Sequence, residues 1–237
     1  SGGPLSLIHN QDPQSDFIGG SVEVLSRQAY ANATSYSIPA GENLYTVSNT
    51  LYNIFQYVDI DIVAFQDNTN VTITSPGAFG GTVSFTLNQG QHYTNRGCTA
   101  NPACPNGLID DATLAPFIRI NSGTKIATTG PLAGMIHTGG DGTYATDIFP
   151  ILPDLLHGND YLIPSLGDNA AVNGNRPMNL YLFNPDPVNT ITVTATDSVG
   201  SRTFTIGPNA TENYNSDAAP NRFVPANSAV RLTSSAN

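Results

Sequence analysis

Few residues in this chain have types and spacing that could do chemistry: four histidines (His9, His92, His137, His157), eighteen acidic residues and two cysteines. Asp59 and Asp61 stand two apart in Val58-Asp-Ile-Asp-Ile-Val-Ala-Phe65, so on an extended strand both carboxylates face one side. A carboxylate pair suits glycoside hydrolysis, but the chain has no Trp and no evident aromatic platform for a sugar. No His-Glu-x-x-His, Gly-x-Ser-x-Gly, Walker or Rossmann pattern occurs. Gly139-Gly140-Asp141-Gly142 has no helix after it to make a phosphate cradle. The chain therefore reads as a non-enzyme with no resident cofactor. Calcium is the one ion its acidic loops suit, because it accepts carboxylate, amide and backbone oxygens. Asp110 with Asp111, Asp141 with Asp147, and the run Asp67-Asn68-Thr69-Asn70 are the candidate ligands, with solvated turn residues as the plainer reading.

Cys98 and Cys104 flank Thr-Ala-Asn-Pro-Ala. Zinc needs more ligands than this neighbourhood offers, and a redox pair would be spaced Cys-x-x-Cys. A small disulfide across a Pro-containing loop is the expected state, and it implies an oxidising compartment. Asn32-Ala-Thr, Asn70-Val-Thr and Asn209-Ala-Thr are candidate glycosylation sites. The net charge is −10 with only eight Lys and Arg. That is too little positive charge to displace counterions from a phosphate backbone or to dock on an anionic membrane, so neither nucleic acid nor membrane is expected as a partner. No apolar run is long enough to span a bilayer. Ser1-Gly-Gly-Pro4 lacks the regions of a secretory signal, which is expected to have been removed or to lie outside this sequence. The expected location is extracellular or at the cell surface.

The elements that must position these residues follow from composition and period. Hydrophobic residues make up 39% of the chain and charged residues 11%, while Asn and Thr number 25 each beside 22 Gly and 17 Pro. Thr favours strands, and Asn, Gly and Pro favour turns, so the chain reads as all-β with many loops. Alternation at period two marks strands at Val58–Phe65, Val71–Thr74 and Val83–Leu87, then at Leu180–Phe183, Ile191–Ala195 and Thr203–Ile206. Helix is limited to one short piece near 48–55 or 153–156.

The chain also repeats itself. Gly3-Pro-Leu-Ser-Leu-Ile-His9 matches Gly130-Pro-Leu-Ala-Gly-Met-Ile-His137 with one insertion, which makes His9 and His137 equivalent. Tyr36-Ser-Ile-Pro39 matches Tyr161-Leu-Ile-Pro164, each followed by a Gly and an acidic residue. Asn70–Thr74 matches Thr190–Thr194, Phe85–Leu87 matches Phe204–Ile206, and Lys125–Thr129 matches Arg231–Ser235. The expected architecture is two tandem β-sandwich domains, Ig-like or jelly-roll-like, over residues 1–129 and 130–237. The disulfide loop is an insertion in the first, and a continuous strand over 124–137 bridges the two.

Four blocks carry a family resemblance: Thr69–Thr74, Leu87–Gln91, Gly123–Gly134 and Phe149–Pro164. In their order they resemble the repeat domain at the N-terminus of IgGFc-binding proteins and their bacterial surface relatives. The resemblance implies a secreted or surface-attached β domain used in adhesion or scaffolding, and no catalytic residue carries over.

The phase of the repeat points to self-association. The segment after Arg231–Asn237 that would continue the repeat is of the kind found at Gly2–His9. The expected function is a structural subunit of an extracellular filament, sheath or surface layer, assembling head to tail with itself by strand donation. Leu5, Leu7 and Ile8 are the expected donor residues and Val230 and Leu232 the acceptor residues. The alternative is a calcium-assisted adhesin or ligand-binding module of a longer surface protein.

Overall fold

In the computed structural model, residues 7–11, 20–45, 54–96, 118–139, 146–164, 180–214 and 229–235 are described. The chain is all-β; the helical pieces among those residues are 3-10 turns at Arg27–Tyr30, Glu42–Leu44 and Asp154–Leu156. It divides into two compact units, Ser1–Leu156 and His157–Asn237.

In the first unit, β1 (Leu7–Gln11) and β2 (Gly20–Val24) form an antiparallel hairpin. One four-stranded sheet contains β3 (Ser35–Ser37), β5 (Thr69–Ser75), β6 (Gly81–Leu87) and β8 (Lys125–Thr128), ordered β3-β8-β5-β6. A second contains β4 (Tyr57–Ala64), β7 (His92–Arg96), β9 (Leu132–Gly139) and β10 (Thr146–Pro150), ordered β10-β9-β4-β7. β2 lies against β10.

Alternation decides which faces are buried. Val58, Ile60, Ile62 and Ala64 of β4 are buried, and so are Val71 and Ile73 of β5, while the intervening residues face outward. Phe85 of β6 and Tyr93 of β7 bring the two sheets together, their ring centroids 4.1 Å apart. Tyr36 ties them again: its hydroxyl donates to the Leu132 carbonyl and accepts the Leu132 N–H, both at 2.8 Å.

The expected continuous strand over 124–137 is in fact two strands in different sheets. Pro131 has no N–H to donate to a ladder, and the Thr128 hydroxyl bonds the Gly130 carbonyl, so pairing ends there and the chain crosses over. The first compact unit also runs past the expected boundary at 129/130. The reason is that β9 pairs with β4 from Leu132 to Gly139, and β10 follows it into the same sheet.

The second unit has a sheet of β11 (Asp160–Pro164), β13 (Ile191–Asp197), β14 (Gly200–Ile206) and β16 (Ala229–Ser234), ordered β11-β16-β13-β14. A two-stranded sheet pairs β12 (Leu180–Phe183) with β15 (Thr211–Tyr214). Val193, Ala195, Ile206, Val230 and Leu232 form its buried core, with Leu180 and Leu182 of β12 packed against them but only half-buried.

Candidate functional site

The polar face of β4 carries the groups that sequence reading singled out as a carboxylate pair. Asp61 accepts a hydrogen bond from the Thr94 hydroxyl on β7, and its other oxygen lies 2.9 Å from Nε2 of His137 on β9. Asp59 stands in register with His137 on one side and Arg96 on the other. The two carboxylates therefore share a face, as expected; Asp61 is bound to its cross-strand neighbours, and register sets Asp59 between His137 and Arg96. His137, which the sequence singled out through its repeat partner His9, is the imidazole that meets Asp61 on this face. Among the described residues no group of three or more His, Cys, Asp or Glu could hold a metal ion.

The most perturbed carboxyl lies elsewhere. Glu42 is buried, with Oε2 2.7 Å from Arg119 Nε and Oε1 accepting the Val58 N–H at 3.3 Å. Burial pushes its carboxyl up to about 8, against the lowering pull of that N–H and of Arg119. The Arg119 guanidinium lies over the Phe79 ring, 5.1 Å from its centroid. Gly41 is required beside it, because a Cβ there would fall 2.3 Å from the Asn121 carbonyl carbon. The backbone of this segment is stapled to the one returning from the long insertion: Glu42 N–H donates to Ile120 O, and Ser122 N–H donates to Asn43 Oδ1 at 2.6 Å. Sequence reading missed Glu42; its only signal was the Gly-acidic pair after Tyr-x-Ile-Pro.

The same region closes the base of the insertion. Asn95 is buried, accepts Tyr93 OH at 3.0 Å and Ile118 N–H at 3.4 Å, and donates to Ile118 O at 2.8 Å. Cys98, Cys104, Asp110 and Asp111 lie outside the described residues, as do Leu5 and Asp141. Asp147 is on β10, where burial raises its carboxyl. In the run Asp67–Asn70, Asp67 accepts the Gln89 N–H and Asn70 Oδ1 accepts the Thr86 hydroxyl, so those oxygens serve the turn and the ladder. Asn32, Asn70 and Asn209 are exposed.

The sheet order bears on both expected assembly roles. Val230 and Leu232 are buried on β16, and both edges of β16 are filled, by β11 and by β13. No further strand can add beside them, since an antiparallel strand has two edges only. Leu7 and Ile8 are not on a lone strand: they pair with Val24 and Glu23 in the β1–β2 hairpin.

No family model matches the chain, and no curated protein or solved structure matches it.

Proposed function

We propose that the chain is a structural subunit of an extracellular filament, sheath or surface layer. In this reading it consists of two copies of one β-sandwich unit and associates with itself head to tail. Four pairings support the copying. Tyr36 pairs with Ile126 as Tyr161 pairs with Leu232; Val71 with Phe85 as Val193 with Phe204; Ile73 with Ile126 as Ala195 with Leu232; Val71 with Thr128 as Val193 with Ser234. The hydroxyl contacts recur as well. Thr129 Oγ1 accepts the Asn70 N–H at 2.9 Å and Ser235 Oγ accepts the Thr192 N–H at 3.0 Å. Thr72 meets Ser84 as Thr194 meets Thr203.

One observation carries the functional reading. The β4–β7 pair is extended to four strands by the β9–β10 hairpin, which follows the Gly130-Pro131 junction, whereas among the described residues β12–β15 forms a sheet of two. In the copied unit, β9–β10 stands just ahead of β11 as β1–β2 stands just ahead of β3. Each unit is thus completed by the hairpin that opens the next one. An interface of that kind is heterologous, and where its rotation does not close it propagates into a filament. The low charge, the exposed sequons and the single Lys125 suit an extracellular surface.

Negative-stain electron microscopy of the native material tests this. Regular fibres or sheets of constant width are expected. Dispersed two-unit particles, above all if calcium raises their melting temperature, would replace this reading with the adhesin module.

A further inference from the structure

Taking self-association as its premise, we infer that copies of this chain also join edge to edge, β6 of one subunit pairing antiparallel with β14 of the next. Each of these strands stands last in the strand order of its sheet, and each leaves an edge open.

Hydrogen bonding within the sheets fixes which backbone groups point outward. Asn70 N–H donates to Thr129 Oγ1 at 2.9 Å and the Asn70 carbonyl accepts the Thr129 N–H at 3.0 Å, so Asn70 bonds toward the β8 side of β5. Thr86, opposite Asn70, therefore turns its N–H and C=O away from β5, and by alternation Ser84 and Thr82 do the same. The second unit repeats this. Thr192 N–H donates to Ser235 Oγ at 3.0 Å and the Thr192 carbonyl accepts the Ser235 N–H at 2.8 Å. Thr205, Thr203 and Ser201 of β14 are thereby turned outward, while Arg202 and Phe204 between them bond to β13. All six outward residues are exposed, and among the described residues their outward backbone groups have no partner. The segments that flank the two strands, 76–80 and 88–91, 198–199 and 207–210, are described as well.

Little in either strand guards its edge. Edge strands are kept from pairing by Lys, Pro, bulges or inward charge. β6 has none of these and runs beside β5 without a bulge. β14 has one charge, Arg202, which Asp197 Oδ2 takes up at 3.1 Å. The two edges also match each other. Each strand is seven residues long, begins with Gly and turns the backbone of three hydroxyl residues outward.

Set antiparallel, Thr82 faces Thr205, Ser84 faces Thr203 and Thr86 faces Ser201, and each pair exchanges two N–H···O bonds. The hydroxyls then meet as they do inside each unit, where Thr72 meets Ser84 at 3.0 Å and Thr196 meets Ser201 at 2.8 Å. The contact is heterologous, first unit to second, so every subunit offers one edge of each kind and the array does not stop at a pair. Beside the head-to-tail joint it supplies the lateral contact that a sheath or layer needs.

Two experiments on the full chain test the contact. Ser84→Glu with Thr203→Glu puts like charges opposite each other, whereas Ser84→Lys with Thr203→Glu puts opposite charges there. Assembly followed by light scattering is expected to fall at least tenfold in the first double variant and to return to the unmutated level in the second. A contact of β6 with β6, or of β14 with β14, sets like charges together in both variants, so equal loss in the two overturns the pairing, and so does equal assembly. The second experiment uses the unmutated protein and so does not depend on the variants folding. Amide exchange at Thr82, Ser84, Thr86, Ser201, Thr203 and Thr205 is expected to be fast in the monomer and to slow at least tenfold on assembly, with Val83 and Phe85 unchanged because they already bond to β5. Slow exchange at the six residues in the monomer means that the subunit's own chain covers the edges, and overturns the contact. Assembly that leaves these amides fast overturns it too and leaves the head-to-tail reading standing. Absence of assembly overturns both.

Discussion

Removing the Tyr36 hydroxyl should unfasten the β9–β10 hairpin from the β3 sheet, and the cost can be worked from the geometry. The phenol is buried at 1% exposure, and its single oxygen satisfies both backbone groups of Leu132 at 2.8 Å. Its burial also holds the phenol proton, the pKa being pushed up to about 12. In Tyr36→Phe the ring still fills its space, but the Leu132 N–H and C=O lose their partner in a site closed to water. Each unsatisfied buried group costs about 1–3 kcal/mol, so the loss should be about 2–6 kcal/mol. Tyr161, which the proposed repeat matches to Tyr36, is 45% exposed, and its hydroxyl accepts the Gly158 N–H at 2.7 Å. Water can replace that contact, so Tyr161→Phe should change stability by less than about 0.5 kcal/mol. Urea titrations followed by circular dichroism compare the variants, with amide exchange assigning the loss to the first unit. Equal effects from the two substitutions, or a Tyr36→Phe loss below about 0.5 kcal/mol, would refute the reasoning that the hydroxyl joins hairpin to sheet.

Glu42 and Asn95 yield two further tests. With the Glu42 carboxyl raised from 4.5 to about 8 in the fold, the folded state holds a proton that the unfolded state has lost between those values. Stability should therefore be fully present below about pH 4.5, fall as pH rises toward 8 and level above it, and Glu42→Gln should flatten that slope in denaturant titrations across the window. A slope unchanged in the Gln variant would rule Glu42 out as its source. Asn95→Ala strips both partners from the Ile118 backbone at the base of the insertion. A loss of about 2–4 kcal/mol is expected, seen as a melting temperature lower by about 5–15 °C, whereas an unchanged melting temperature would mean that another group holds that backbone.

The proposed assembly turns on the same contrast as the tyrosines. In the first unit a hairpin from beyond Gly130-Pro131 covers Ile60 and Ile62, and Tyr36 anchors its first residue. In the second unit Leu180, Leu182 and Tyr161, their counterparts in that reading, are more exposed.

The sequence by itself determined the strands and their inward faces, because side-chain alternation is a local property. Val58, Ile60 and Ile62 could be placed inside, and Asp59 and Asp61 on one polar face, from period two alone. In the proposed two-copy reading, residue matching sets Ile191 opposite Val71, while the pairings put Val193 in that position, because hydrogen bonding and hairpin length set register. Only the tertiary structure decided which edges were filled. β16 reads as a terminal strand in sequence yet lies between β11 and β13, since strand order within a sheet depends on contacts far apart along the chain. The buried pair of Glu42 with Arg119 was hidden for the same reason: the two residues are brought together by the backbone returning from the insertion, and no local pattern encodes that meeting.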